Sequence, residues 1–267
     1  MNKSLAVATM TRTLIPDFRL DGCTALVTGA GQGTGLAIAI EFARAGAQVV
    51  LVARTRETLD VAAAAIRSFD GRALVRTCDI TDSVAIRNVI EGLPQLDILV
   101  NNAGTNVPEP FVDVSQEHLD MLLRLNMRAT FVVAQASVKK MLEHPARSDI
   151  GGVVINITSQ MGHVGSPNRA AYCMTKHGIE GLTKAMAVEL APRNIRVNSL
   201  APTFVDTPLI RRIVDTPAKR DYLVSRIPMG RMATEGDIAA AALYLASPSA
   251  GMVTGTCLLV DGGWTAQ

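Results

Sequence analysis

The sequence is poor in the residues that mark extracellular, membrane-spanning and nucleic-acid-binding proteins. Its 267 residues include only four cysteines, none in a Cys-x-x-Cys pair, so no disulfide framework is expected and a reduced intracellular protein is favoured. The formal net charge is only +2, without a long run of like charge, which argues against a nucleic-acid partner. No stretch approaches the roughly 18 apolar residues of a membrane span. We therefore predict a cytoplasmic protein with no nucleic-acid and no membrane partner.

Histidines and aromatic residues are also scarce. The four histidines are scattered without metal-ligand spacing, so no metal site is predicted. Aromatic residues make up 4% of the chain and hydrophobic residues 48%, which predicts a large aliphatic core. The pattern predicts one domain over residues 21–267, preceded by a leader of residues 1–20 that shows no clear periodicity.

Short apolar runs of strand type alternate with segments of helical periodicity. This alternation is typical of an α/β fold, here a single-domain, Rossmann-like, doubly wound parallel sheet of about seven strands flanked by helices. The Thr234-x-x-Asp237 pattern predicts a capped helix start. The predicted strands cover residues 24–28, 48–53, 73–78, 96–100, 152–158, 195–201 and 256–260, and the predicted helices cover 36–45, 57–69, 83–91, 116–142, 170–190 and 234–246.

Several polar, proline and glycine residues fall where predicted strands end. Ligands of a parallel α/β sheet bind at the carboxyl ends of the strands, so these residues should gather along one edge. The sequence therefore predicts a ligand site at that edge. The residues are Gly29, Arg54, Asp79, Asn101, Ser159 and Pro202.

A glycine-rich loop follows the first predicted strand. Gly29, Gly33 and Gly35 are spaced Gly-x-x-x-Gly-x-Gly, with Gly31 as an additional glycine, and a helical segment comes next. A pyrophosphate at a helix N-terminus needs close approach to backbone N–H groups, and a Cβ there would hold it away. The succession of strand, glycine loop and helix predicts a dinucleotide-binding unit.

The residues after the second predicted strand bear on the choice between NADP(H) and NAD(H). An NAD-binding unit of this kind places an acid about 20 residues beyond the glycines, whereas this sequence reads Ala53-Arg54-Thr55. A guanidinium group pairs with a 2′-phosphate, which a carboxylate would repel. We therefore favour NADP(H), with Arg54 as the main contact and Thr55 or Arg56 assisting. NAD(H) is the alternative if Arg54 is only a solvated charge.

Tyr172 and Lys176 stand four residues apart in a helical segment, which places both side chains on one face. A free tyrosine titrates near about 10, and a neighbouring ammonium group lowers that pKa by favouring the phenolate. A phenol tuned in this way can exchange a proton with an alcohol or a carbonyl oxygen. We therefore predict acid–base chemistry at Tyr172.

Together these motifs resemble those of the short-chain dehydrogenase/reductase family over nearly the whole chain, from about residue 20 to the C-terminus. The resemblance implies a Rossmann-like sheet, a nicotinamide cofactor, a small-molecule carbonyl or alcohol substrate and a homo-oligomer, most often a tetramer. It rests on Thr28-Gly29-x-x-x-Gly33-x-Gly35, Asn101-Asn102-Ala103-Gly104, Asn126, Ser159 and Tyr172-x-x-x-Lys176, in that order.

The resemblance also implies roles for single residues. Tyr172 is expected to be the general acid/base, and Ser159 to hydrogen-bond the substrate oxygen. Lys176 is expected to lower the tyrosine pKa and bind the nicotinamide ribose, while Asn126 positions a water that links Lys176 to solvent. Expected substrate contacts are Ser159, Met161, His163 and Tyr172, and expected cofactor contacts are Gly29, Gly31, Gln32, Gly33, Thr34, Arg54, Thr55, Asp79, Ile80, Asn101, Ala103, Gly104, Tyr172, Lys176, Pro202, Val205 and Thr207.

The expected activity is the NADP(H)-dependent interconversion of a secondary alcohol and a ketone by hydride transfer, on a 3-oxoacyl, sugar or sugar-acid, or cyclic ketone substrate. Residues 203–226 read as a lid over that substrate, and Thr203 stands where the family usually has glycine. The alternatives are an NAD-dependent sugar or polyol dehydrogenase of the same family and a nicotinamide-binding protein without turnover. A sugar-nucleotide epimerase or dehydratase would need more chain after Thr207.

Replacement of Tyr172 with phenylalanine tests the predicted proton transfer. We expect Tyr172→Phe to bind cofactor as the wild type does but to turn over about 10²–10⁴-fold more slowly, the usual effect of losing a general acid. Cofactor titration and steady-state kinetics measure the two quantities. Unchanged turnover would remove Tyr172 from the chemistry.

Overall fold

The computed structural model, which describes residues 16–143, 151–207, 210–211, 214 and 216–267, contains one parallel sheet of seven strands. The strand order is β3-β2-β1-β4-β5-β6-β7, so the chain crosses the sheet between β3 and β4. The predicted fold class is confirmed. The strands are β1 Thr24–Thr28, β2 Gln48–Ala53, β3 Arg72–Thr77, β4 Ile98–Asn101, β5 Gly152–Ile157, β6 Ile195–Pro202 and β7 Cys257–Val260.

Eight α-helices within the described ranges surround the sheet, and none of them is both long and apolar enough to cross a membrane. They are α1 Gly33–Arg44, α2 Arg56–Arg67, α3 Ser83–Glu91, α4 Gln116–Leu122, α5 Thr130–Leu142, α6 Ala170–Leu190, α7 Pro217–Ser225 and α8 Glu235–Ala246.

Two aliphatic cores lie on opposite faces of the sheet because successive strand residues point to opposite sides. On β1, Ala25 and Val27 belong to the core that α1, α2 and α8 cover. Leu26 between them belongs to the core that α3, α5 and α6 cover. Strands buried on both faces in this way explain the continuous apolar runs in the sequence.

Helix α1 begins at Gly33, three residues before the predicted start at Leu36. Glycine is a poor helix former, so local propensity gave no reason to place Gly33 and Gly35 in the helix. Tertiary packing decides otherwise: a Cβ on Gly35 would collide with the carbonyl oxygen of Gly29. The missing side chain therefore allows α1 to lie directly against the end of β1.

The predicted continuous helix over residues 116–142 is interrupted. Residues Leu123–Ala129 form a π-helix between α4 and α5, with Asn126 inside it. The Asn126 side chain makes two hydrogen bonds to the backbone of Thr105. Its Oδ1 accepts from the Thr105 N–H (2.9 Å), and its Nδ2 donates to the Thr105 carbonyl (2.8 Å). Such long-range contacts are invisible to local periodicity, and π-turns of this kind occur frequently at functional sites.

The predicted leader and lid lie partly outside the described residues. Residues 1–15 of the leader, and residues 208–209, 212–213 and 215 of the lid, are among those outside. Leu20, at the end of the predicted leader, is fully buried and donates its N–H to the Ala45 carbonyl at 2.8 Å. In the lid region, α7 contributes no buried residue.

The predicted cap of α8 is confirmed. The Thr234 hydroxyl accepts from the Asp237 N–H (3.1 Å), and the Asp237 carboxylate accepts from the Thr234 N–H (2.8 Å). We expect Thr234→Ala to lower the free energy of unfolding by about 1 kcal/mol, because orphaned helix N–H groups lose this acceptor. Urea denaturation measures the change. An unaltered unfolding free energy would show that the cap does not stabilise the fold.

Candidate active site

A cleft of about 530 Å³ lies along the carboxyl ends of the strands, where the sequence predicted a ligand site. Twelve of the residues expected to contact the cofactor line it: Gly29, Gly31, Gln32, Gly33, Thr34, Arg54, Thr55, Asp79, Ile80, Ala103, Gly104 and Thr207.

The glycine loop on the floor of this cleft is held by Asn102. The Asn102 amide donates to the Thr28 carbonyl at 2.9 Å, and its Oδ1 accepts from the Thr34 hydroxyl at 2.9 Å. Helix α1 starts beside it without a side-chain cap and without an acid in its first turn. A Cβ on Gly31 would collide with Thr58. Free N–H groups at a helix start where glycines flank Thr34 fit a pyrophosphate.

The basic groups of the cleft are Arg54 and Arg124. Arg54 is exposed, lines the cleft and makes no hydrogen bond or ion pair with another described residue. Arg56, by contrast, bonds Asp60 of its own helix at 2.9 Å and does not line the cleft. Arg124, in the π-helix, was not identified from the sequence. Of the two arginines that directly follow β2, only Arg54 therefore faces the cleft.

Asp79 is fixed near the ends of β2 and β3. Its Oδ1 accepts from the backbone N–H (2.9 Å) and the hydroxyl (2.8 Å) of Thr81. These hydrogen bonds, with smaller contributions from Arg54 and Arg124, hold the pKa of Asp79 below its usual value. Asp79 is therefore a fixed acceptor at the edge of the cleft.

Five residues expected to contact the cofactor do not line the cleft. The buried Asn101 amide instead donates to Asn156 at 3.0 Å and to the Thr130 carbonyl at 3.4 Å, so its neighbour Asn102 faces the cleft. The other four are Pro202 and Val205, both buried, and Tyr172 and Lys176. Lining residues that sequence reasoning missed as contacts include Thr58, Asn102, Met121 and Arg124.

The structure brings the predicted catalytic side chains together from β5 and α6. Ser159 follows β5, caps the short 3₁₀ helix Gln160–Gly162 and accepts from the Met161 N–H at 3.1 Å. Tyr172 and Lys176 lie one turn apart on α6, with the Lys176 ammonium 5.5 Å from the centroid of the tyrosine ring. Lys176 is only 7% exposed and donates to the Ile157 carbonyl at 2.9 Å.

Burial dominates the ionisation of both groups on α6. Removal from water raises the pKa of Tyr172 to about 12, opposed in part by a hydrogen bond from the Ser159 hydroxyl. The same effect lowers the pKa of Lys176 to about 8, opposed by the charge of Glu180. Burial thus outweighs this hydrogen bond at Tyr172. The expectation that Lys176 lowers the tyrosine pKa stays a prediction.

Asn126 joins the loop after β4 to the helix that carries the lysine. Besides its two bonds to Thr105, its Nδ2 donates to the Thr175 hydroxyl at 3.3 Å. Gly104 lies between the two groups: a Cβ there would be 3.2 Å from Asn126 Oδ1 and 3.8 Å from Lys176 Nζ. Asn126 thus lies near Lys176, but the hydrogen bonds of its side-chain amide go to Thr105 and Thr175.

The two remaining residues expected to bind substrate lie just past Ser159. Met161 is buried at 6% exposure. His163 turns its Nε2 toward Cys257 Sγ (3.1 Å) and Glu180 Oε1 (3.4 Å). Among the described residues, these three side chains form the one His/Cys/acid group close enough to hold a metal ion, with ligand atoms within 4.8 Å of one another.

Thr203, at the position where the resembled family usually has glycine, needs no left-handed backbone. Positive φ values occur among the described non-glycine residues only at Asp70, Asn168 and Asn194. The Thr203 N–H donates to the Val260 carbonyl at 3.2 Å. A threonine at position 203 is therefore compatible with the local backbone.

Comparison with known proteins identifies the family. The family described as enoyl-(acyl carrier protein) reductase matches residues 29–265. L-xylulose reductase of Bos taurus is 39% identical over 94% of this chain and 99% of its own length. D-threitol dehydrogenase of Mycolicibacterium smegmatis is 38% identical over 93% of this chain and 95% of its own. The chain belongs to the short-chain dehydrogenase/reductase family.

A solved structure supports the same assignment. A Beutenbergia cavernae protein, described as an NAD(P)-dependent gluconate 5-dehydrogenase with NADP bound at low occupancy, superposes with a TM-score of 0.89. It is 38% identical, and the match covers 94% of this chain and all of the other. The protein is thus an oxidoreductase of this family, which acts on CH–OH groups with a nicotinamide cofactor.

The buried lysine of this short-chain dehydrogenase/reductase should titrate far below its usual range. We expect the Lys176 ammonium to lose its proton near pH 8, compared with 10.5 for an ordinary lysine, because burial disfavours the charged form. NMR of isotope-labelled lysine, with Lys176→Arg to assign the resonance, measures the midpoint. A midpoint near the ordinary value would contradict the burial argument.

Proposed function

We propose that the protein is an NADP(H)-dependent oxidoreductase that interconverts a secondary alcohol and a ketone on a sugar, polyol or sugar acid. The observation that carries this proposal is the convergence of Ser159, Tyr172 and Lys176 beside a glycine-lined cleft at the strand ends. A protein that only bound the nucleotide would have no need of a serine hydroxyl paired with a half-buried phenol.

In the proposed reduction, Tyr172 gives its proton to the carbonyl oxygen of the substrate. With a pKa raised to about 12, the phenol carries that proton at neutral pH. The Ser159 hydroxyl donates a second hydrogen bond to the same oxygen as negative charge develops on it. The bound nicotinamide supplies the hydride. Lys176, pinned to the Ile157 carbonyl, holds positive charge next to the phenol and favours its deprotonated form after transfer.

The preference for NADP(H) is proposed on the charges of the cleft. Arg54 offers a guanidinium that makes no hydrogen bond or ion pair with the described residues, at the end of β2, where a carboxylate would serve an NAD-binding unit. Arg124 adds a second positive charge to the lining. The NADP bound to the Beutenbergia cavernae relative is consistent with this preference.

The sugar, polyol or sugar-acid substrate is proposed from the relatives. The names of the three relatives described above contain L-xylulose, D-threitol and gluconate, which are all polyhydroxylated carbon chains. We propose that this protein acts on a compound of that class.

Arg54→Asp tests both the activity and the cofactor preference. We expect the wild type to oxidise NADPH in the presence of ketoses or keto-acids, and Arg54→Asp to lose about 10- to 100-fold in kcat/KM for NADPH, since a charge-assisted contact to phosphate is lost. NADH should be affected much less. Absorbance of the reduced cofactor, followed across ketose, keto-acid, 3-oxoacyl and cyclic ketone substrates, measures these rates.

Arg56→Asp provides the matched control. It makes the same charge change two residues away, on a side chain that pairs with Asp60 outside the cleft lining. The control should keep the wild-type preference. Equal use of NADPH and NADH by the wild type would show that Arg54 is not a selector, and no oxidation with any carbonyl would contradict the enzymatic proposal.

A further inference from the structure

Helix α6 carries a buried acid, Glu180, on the same face as Tyr172 and Lys176. The proposed mechanism gives this acid no role. Glu180 follows Tyr172 by eight residues and Lys176 by four, so all three side chains lie on one side of the helix. Glu180 is only 6% exposed. Acids are rarely buried to this extent without specific partners, and the partners of Glu180 come from the segment that carries Ser159.

The Glu180 carboxyl group contacts this segment on both sides of Ser159. Its Oε1 accepts from the Thr158 hydroxyl at 2.6 Å, immediately before Ser159 in the chain. The same oxygen lies 3.4 Å from Nε2 of His163, four residues after Ser159. The catalytic serine is therefore held between two residues that converge on a single oxygen atom.

The intervening turn packs directly on α6. A Cβ on Gly162 would be 3.2 Å from the Lys176 carbonyl oxygen and 3.3 Å from Glu180 Cγ, both tighter than ordinary contact. Glycine at this position lets the 3₁₀ turn approach the helix closely enough for Thr158 and His163 to reach the acid.

The second carboxyl oxygen attaches the same acid to the sheet. Glu180 Oε2 accepts from the Ser199 hydroxyl of β6 at 2.6 Å. His163 Nε2 also contacts Cys257 Sγ of β7 at 3.1 Å. Hydroxyl donors already occupy both carboxyl oxygens of Glu180. We therefore interpret Glu180 and its partners Thr158, His163 and Ser199 as a hydrogen-bonded cluster, called the clamp below.

We propose that Glu180 is a positioning residue that fixes the Ser159 hydroxyl relative to the Tyr172 phenol by holding Thr158 and His163 against α6. The inference rests on the proposed function, because its consequence is catalytic. Thr158 and Ser199 make bonds of equal length to the same carboxyl group, but only Thr158 adjoins the catalytic serine. The clamp therefore predicts different effects for the loss of each bond.

Thr158→Val and Ser199→Ala separate positioning from general stability. Each removes one hydroxyl donor to Glu180. We expect Thr158→Val to lower kcat at least about tenfold, since small displacements of catalytic groups have large effects on rate. Ser199→Ala should lose clearly less, and cofactor Kd should change little in both. Thermal melts check that both variants are folded.

Glu180→Gln tests the acid itself, with Glu189→Gln as the matched control. Glu189 is exposed near the end of the same helix, so the control makes the same chemical change away from Ser159. We expect Glu180→Gln to lower kcat as Thr158→Val does and Glu189→Gln to leave it unchanged. The double variant Thr158→Val/Glu180→Gln should be no slower than the slower single variant, because both changes act on the same contact between residues 158 and 180.

A second readout does not require turnover. The chain has only three tyrosines, so the ¹³Cζ resonance of labelled Tyr172 can be assigned with Tyr172→Phe. Because the Ser159 hydroxyl interacts with the phenol, we expect this resonance to move in Thr158→Val and Glu180→Gln and to keep its wild-type position in Glu189→Gln.

Wild-type kcat and an unmoved Tyr172 resonance in Thr158→Val and Glu180→Gln would overturn the inference. A loss of kcat with an unmoved resonance would overturn it as well, because the loss would then arise away from the serine–tyrosine pair. If the wild type turns over no carbonyl substrate, the proposed function fails, and the resonance alone still decides whether Glu180 positions Ser159.

Discussion

The contact between α6 and the carboxyl end of β5 is the interaction on which the site depends. Lys176 donates across it to the Ile157 carbonyl, and the glycine at position 162 allows the turn after Ser159 to lie against the helix. This packing brings a serine from a strand end and a tyrosine from a helix into contact, although 13 residues separate them in the sequence. It also buries Lys176 and half-buries Tyr172, which sets the pKa values of both groups apart from those of free side chains.

The glycine loop forms the other half of the site, and a separate interaction fixes it. Asn102 at the end of β4 bonds the backbone of β1 and the hydroxyl of Thr34 at the start of α1. The helix start therefore stays close to the strand ends, with its N–H groups directed at the cleft. The two halves meet at Gly104, which lies next to Asn126 and the Lys176 ammonium.

Local sequence patterns predicted what local physics controls. The strand Gln48–Ala53 and the helix Ala170–Leu190 coincide with the predicted bounds because apolar runs and helical periodicity are local signals. The capping box at Thr234 is local too. The position of the predicted site at one edge of the sheet could also be predicted from the sequence, because the carboxyl ends of parallel strands meet at that edge.

Features that depend on distant contacts could not be predicted in the same way. The π-turn around Asn126 is associated with bonds to Thr105 and Thr175, and the pKa of Tyr172 follows from burial by other elements. Asn101 and Asn102 are equivalent in sequence, and only strand geometry decides that the second faces the cleft. Glu180 had one detectable signal, an acid one turn after Lys176 on the face that carries Tyr172.

The phenol, the serine hydroxyl and the cofactor cleft should form one reaction site. A crystal structure of the complex with the oxidised cofactor and a ketone substrate tests this arrangement. We expect the Tyr172 and Ser159 hydroxyls within hydrogen-bond reach of the substrate carbonyl oxygen beside the nicotinamide, at about 3 Å or less. A nicotinamide ring bound away from both hydroxyls would show that they do not share a site.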